Sequence, residues 1–105
     1  MAEPRINVPR EEIAAFCKKW KIAELALFGS VLSDDFRADS DVDVLVTFEP
    51  GLRLDLPRFL ETKEALERLF GRKVDLLTRP TIERSTNPLR KRHILDTART
   101  LYEAA

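Results

Sequence analysis

Apolar residues recur at spacings of three and four between residues 10 and 20, where Ile13, Phe16, Cys17 and Trp20 form one stripe. That period predicts an amphipathic helix, with Pro9 in its first turn. Ile22 to Phe28 then runs apolar and stops at Gly29, the signature of a short buried strand leading into a turn. A helical turn is expected over Val31 to Phe36 and a loop over Arg37 to Ser40. Val42 to Phe48 is dominated by β-branched and aromatic residues and is stopped by Pro50-Gly51, so it reads as a second strand. Alternate side chains of a strand point to opposite faces. Asp41 and Asp43 should therefore share one face, and Val42, Val44 and Val46 the other.

A second helix is predicted from Leu56 to Phe70, with Asp55 as N-cap, Pro57 in the first turn and Gly71 as the stop. Its inward face would carry Phe59, Leu60, Leu66, Leu69 and Phe70. Lys73 to Thr78 reads as a third strand, with Asp75 inside it and Arg79-Pro80 ending it. Asn87-Pro88 has the form of an N-cap followed by proline at the first helical position, and opens a final helix expected to reach Glu103. Leu89, Ile94, Ala98, Leu101 and Tyr102 would pack inward. The order helix, strand, strand, helix, strand, helix predicts an α/β (α+β) fold, a small mixed β-sheet flanked by helices. The 105 residues are expected to form a single domain spanning 1–105.

Charge alters this picture by its distribution. Lys plus Arg and Asp plus Glu both number 18, so the net charge is zero, and neither direct nucleic-acid binding nor membrane association is expected. Five aspartates (Asp34, Asp35, Asp39, Asp41 and Asp43) crowd into ten residues, whereas Arg84, Arg90, Lys91 and Arg92 make the C-terminal part basic. Cys17 is the only cysteine, which excludes an internal disulfide and suits a reducing cytoplasm. No uncharged stretch approaches the roughly 18 residues of a membrane span, and no signal-peptide pattern opens the chain. A cytoplasmic protein is expected.

Gly29-Ser30 is followed, ten residues later, by Asp41-Val42-Asp43. Two carboxylates at i and i+2 of a strand stand roughly 6.6 Å apart on one face and can bracket hard cations. Magnesium takes a few carboxylates, keeps several waters and shares substrate phosphates. Two such ions about 3.5–4 Å apart would clamp the attacking and leaving oxygens of an in-line displacement. Gly29 would let the backbone approach a phosphate, and Ser30 with the amides of the following turn would donate to its oxygens. Asp75, on the next strand, is the candidate third metal ligand and general base. Asp-x-Asp by itself is commonly a solvated strand face, and Gly29 and Ser30 could be only a turn and an N-cap. With residue usage of roughly 5–7% each, however, the four-residue pattern arises by chance in about one chain of this length per thousand. His93 reads as a surface residue and Trp20 as core.

Leu27-Phe28-Gly29-Ser30, the ten-residue gap, Asp39-Ser40-Asp41-Val42-Asp43-Val44-Leu45-Val46 and the later Val74-Asp75-Leu76 closely resemble the minimal nucleotidyltransferase (MNT) family of the DNA polymerase β-like superfamily. The likeness extends over nearly the whole chain, including the Asn87-Pro88 helix. It implies a small nucleotidyltransferase core with Asp41, Asp43 and Asp75 as Mg2+ ligands, two ions in all, and Gly29-Ser30 holding the triphosphate of ATP. It further implies an antitoxin paired with a HEPN-domain toxin, transferring AMP to a tyrosine hydroxyl of that partner. Family members often carry an arginine shortly after the Gly-Ser turn. Ser33 and Asp34 stand in that stretch here, which leaves the phosphate contact to Arg37 or Lys73. Two other functions are compatible with the motif: neutralising a toxin by masking it without catalysis, and transfer to a small molecule or an RNA end, for which an additional acceptor-binding domain would be expected.

Overall fold

The computed structural model describes residues 9–29 and 41–104. Ser30, Arg37, and the helical turn and loop expected over 31–40 lie outside the described residues. The elements are α1 (Arg10–Trp20), β1 (Ile22–Phe28), β2 (Val42–Phe48), α2 (Leu56–Phe70), β3 (Val74–Thr78), α3 (Arg79–Glu83), α4 (Pro88–Thr97) and β4 (Arg99–Glu103).

Local signals set most of these boundaries. The Asp55 carboxylate accepts from the Arg58 amide at 2.9 Å, which satisfies one of the unpaired donors at the start of α2. At its other end Gly71 takes a left-handed conformation (φ 67°), and its N–H donates to the Glu67 carbonyl at 2.8 Å. Asn87 caps α4 in the same way, accepting from the Arg90 amide at 3.1 Å.

The four strands lie in the order β3-β2-β1-β4. β1 is antiparallel to both β2 and β4, while β2 and β3 are parallel and joined through α2, the crossover that parallel pairing requires. The sheet has two unequal faces. On one, α1 and α2 close over Leu25, Leu27, Val42, Val44, Val46, Val74 and Leu76, with Ile13, Cys17, Leu66 and Phe70 from the helices. On the other, among the described residues, Ile82 of α3 and Ile94 of α4 are buried against Ala26, Phe28 and Leu45. Arg79 anchors α3 there by a two-pronged contact with Glu24 Oε1, from Nη2 at 2.6 Å and Nε at 3.1 Å.

The structure corrects the C-terminal reading. The final helix ends at Thr97 rather than reaching Glu103, because Ala98 is extended (φ −61°, ψ 136°) and the chain enters β4. Leu101 and Tyr102 are half-buried on that strand. Apolar spacing pointed to a continued helix, and pairing with the edge of β1 makes the segment a strand instead. Two residues assigned inward are exposed, Leu60 at 47% and Leu89 at 81%. α3 is an element that the sequence pattern did not mark.

Candidate active site

The aspartates gather at the end of the sheet where β1 stops and β2 and β3 begin. Asp43 stands opposite Phe28 in the β1–β2 ladder and opposite Asp75 in the β2–β3 ladder. Strands about 4.8 Å apart with these residues in register bring the Asp43 and Asp75 side chains out on one face. Asp41, two residues before Asp43, extends the row, and the Val42 amide between them donates to the Lys73 carbonyl at 2.9 Å. Asp41 and Asp75 are exposed, whereas Asp43 is half-buried at the centre.

Burial raises the Asp43 carboxyl from 3.8 to about 6, and the negative charges of Asp75 and Asp41 add to the rise; Arg90 opposes it. The carboxylates thus sense one another. Among the described residues, no three His, Cys, Asp or Glu side chains form a ready-made cage for a metal ion. The donor set nevertheless fits magnesium by its chemistry. It offers oxygen ligands alone, few enough to leave room for water and phosphate, and crowded enough that a divalent cation would relieve the repulsion on Asp43.

Gly29 ends β1 directly beside this row. Its φ of 77° lies in the left-handed region, and a Cβ built on it would collide with Asp43 Oδ2 and lie 3.2 Å from Asp43 Cγ. The space that glycine leaves is therefore filled by the central carboxylate, a close approach that the spacing of the motif did not reveal. Ser30, the other half of the turn, lies outside the described residues. Lys73 is exposed at the entry to β3.

The sequence reading missed one participant. Arg90, in the first turn of α4, acts electrostatically on Asp43 across 47 positions of sequence. The only signal was the basic run that contains it. His93 is exposed, as expected, and Trp20 packs against Phe16 with ring centroids 5.9 Å apart.

Comparison with known proteins identifies the family. Residues 10–101 match the model of the nucleotidyltransferase domain family. A Methanocaldococcus jannaschii protein, provisionally named a protein adenylyltransferase, is 37% identical over 72% of this chain and 73% of its own length. The protein adenylyltransferase MntA of Thermococcus cleftensis is 37% identical over 63% of this chain and 65% of its own. The fold is also that of a chain in a solved complex of a tri-AMPylated Shewanella oneidensis HEPN toxin with its MNT antitoxin. That match has a TM-score of 0.60 and 21% identity, and covers 90% of this chain and 70% of the other. With its in-register aspartates beside a glycine turn, the chain belongs to the nucleotidyltransferase domain family and is a nucleotidyltransferase.

Proposed function

We propose that this protein transfers AMP from magnesium-bound ATP to a hydroxyl of a partner HEPN-domain toxin, most simply a tyrosine, and so acts as the antitoxin of the pair. The observation that carries the reading is the alignment of Asp43 with Asp75 on adjacent parallel strands, with Asp41 alongside and Gly29 opening the turn beside them. The names of the relatives favour AMP as the group and a protein as the acceptor.

Asp41, Asp43 and Asp75 would hold the metal, and Gly29-Ser30 the triphosphate. Magnesium bound there would neutralise the phosphates and stabilise the charge that develops during displacement. The acceptor oxygen attacks the α-phosphorus, the bond from that phosphorus to the β-bridging oxygen breaks, and pyrophosphate leaves. Asp75, exposed on its strand, accepts the proton released by the hydroxyl. Asp43, half-buried between its neighbours, is the fixed member of the row.

Incubation with magnesium, labelled ATP and a purified HEPN-domain protein tests the proposal. The partner should become labelled, and the double variant Asp41→Asn, Asp43→Asn should not label it. Undiminished labelling by the double variant would refute the assignment. A masking role is favoured by a different observation: Leu54, Leu56 and Leu60, at the start of α2, are 38%, 68% and 47% exposed and offer apolar surface to a partner. If the double variant still binds the toxin and fully protects cells, masking is sufficient.

A further inference from the structure

β3 lies at the edge of the sheet, so every second amide along it points away from β2. Val74 carries such an amide. The Lys73 carbonyl accepts from the Val42 amide at 2.9 Å and so faces β2. The C=O and N–H of a trans peptide unit point in opposite directions, and the Val74 N–H of the same unit therefore faces outward. It meets a side chain there. The Glu67 carboxylate, in the last turn of α2, accepts from it at 3.0 Å.

Glu67 holds the α2–β3 turn by two groups. Its backbone carbonyl accepts from the amides of Gly71 at 2.8 Å and Arg72 at 3.2 Å, and its side chain takes the Val74 amide beyond them. Lys63, one turn earlier on α2, lies 3.4 Å from Glu67 Oε2. The Val74 bond holds the Glu67 carboxyl below its ordinary range, helped by Lys63 and Lys73 and opposed by desolvation. The acceptor is therefore an ionised carboxylate, which makes the stronger kind of hydrogen bond.

The peptide unit that leads into β3 is thus fixed at both ends, one residue before Asp75. Val42 opposite Val74 is the first step of the β2–β3 ladder, and Asp43 opposite Asp75 is the second. Asp75 is exposed, so packing does not hold its side chain and its position is inherited from the backbone.

We propose that Glu67 is a positioning residue of the site: by holding the Val74 amide it sets where Asp75 stands beside Asp43, and so how tightly the two carboxylates grip a divalent cation. This rests on the metal-dependent nucleotidyl transfer proposed above. Glu67 acts through the backbone of β3 and not on the reacting atoms.

Binding of Mn2+, a paramagnetic substitute for magnesium, to the purified protein tests it by electron paramagnetic resonance. Asp43→Asn should lose the binding and so mark the site. Glu67→Ala should weaken Mn2+ binding about tenfold, the lower end of what losing a hydrogen bond behind a metal ligand costs, and the Val74 amide should exchange with deuterium faster. Glu67→Leu, of similar size but without an acceptor, should behave in the same way. Glu67→Gln removes the same charge but keeps an oxygen that can accept from the amide, so it should recover most of the affinity. Asp55→Ala removes the cap at the opposite end of α2, weakening the helix without touching β3, and should bind Mn2+ as the unaltered chain does. Undiminished binding in Glu67→Ala and Glu67→Leu, unchanged exchange at Val74, or an equal loss in Glu67→Gln or Asp55→Ala overturns the proposal; the metal site still stands if Asp43→Asn loses binding. Failure of the unaltered protein to bind Mn2+, or full binding by Asp43→Asn, overturns both.

Discussion

Replacing Gly29 with alanine tests whether the central carboxylate is held where it is by the missing side chain. Two costs are separable. A Cβ in the left-handed region costs about 1–2 kcal/mol whatever surrounds it. The second cost is specific to Asp43: the new methyl would overlap Oδ2 and stand 3.2 Å from Cγ, so turning the carboxylate plane is not enough and χ1 must shift. An off-rotamer side chain costs about 0.5–1.5 kcal/mol. The same methyl would lie 3.6 Å from Asp43 Cβ, an ordinary contact, so Asp43→Ala removes the second cost and leaves the first. Gly29→Ala should then destabilise the protein by about 1.5–3.5 kcal/mol with Asp43 present, and by about 1–2 kcal/mol in the Asp43→Ala background. Urea unfolding of the four proteins in EDTA, followed by far-UV circular dichroism, measures the difference. A domain stable by about 5–15 kcal/mol remains folded through such a change, so activity can be read on native protein. Displacing a reacting group by about 1 Å costs on the order of 100-fold in rate, and Gly29→Ala should lose AMP transfer on that scale. Equal destabilisation in the two backgrounds, or transfer within a few-fold of the unaltered rate, would refute the reasoning.

Asp43 also carries a pH-dependent cost in the metal-free protein. Its folded pKa is raised from 3.8 to about 6, so the fold favours the protonated form, and stability present below pH 4 is lost as pH rises through about 6. A rise from 3.8 to about 6 corresponds to about 3 kcal/mol, and screening at a half-buried group reduces this to on the order of 1 kcal/mol. Asp43→Asn should therefore melt a few degrees higher than the unaltered chain at pH 7–8 in EDTA, with the gain vanishing near pH 4; a lower melting temperature at pH 8 contradicts it. The Cys17 thiol is fully buried, and burial pushes it up to about 12. It should resist alkylation in native protein at pH 8 and react once urea unfolds the chain, whereas rapid labelling of the native form would place it elsewhere.

Features that depend on a few neighbouring residues were legible in the sequence. The period of Ile13, Cys17 and Trp20, the Asp55 and Asn87 caps, the Gly71 stop and the β-branched run of Val42 to Phe48 each act within a turn or two of chain. The alternation of a strand was also enough to place Asp41 and Asp43 on one face. Tertiary structure decided what local pattern cannot encode. The stretch from Arg99 to Glu103 satisfied a helical spacing as well as a strand, and the unfilled edge of β1 selected the strand. The register that sets Asp75 opposite Asp43 comes from the parallel pairing of β2 with β3, two segments separated by the whole of α2. The fit of Gly29 against the Asp43 carboxylate and the approach of Arg90 to the same group arise from contacts between segments distant along the chain. Sequence offers residue types and periods, but distances between remote side chains exist only once the sheet has paired and the helices have packed.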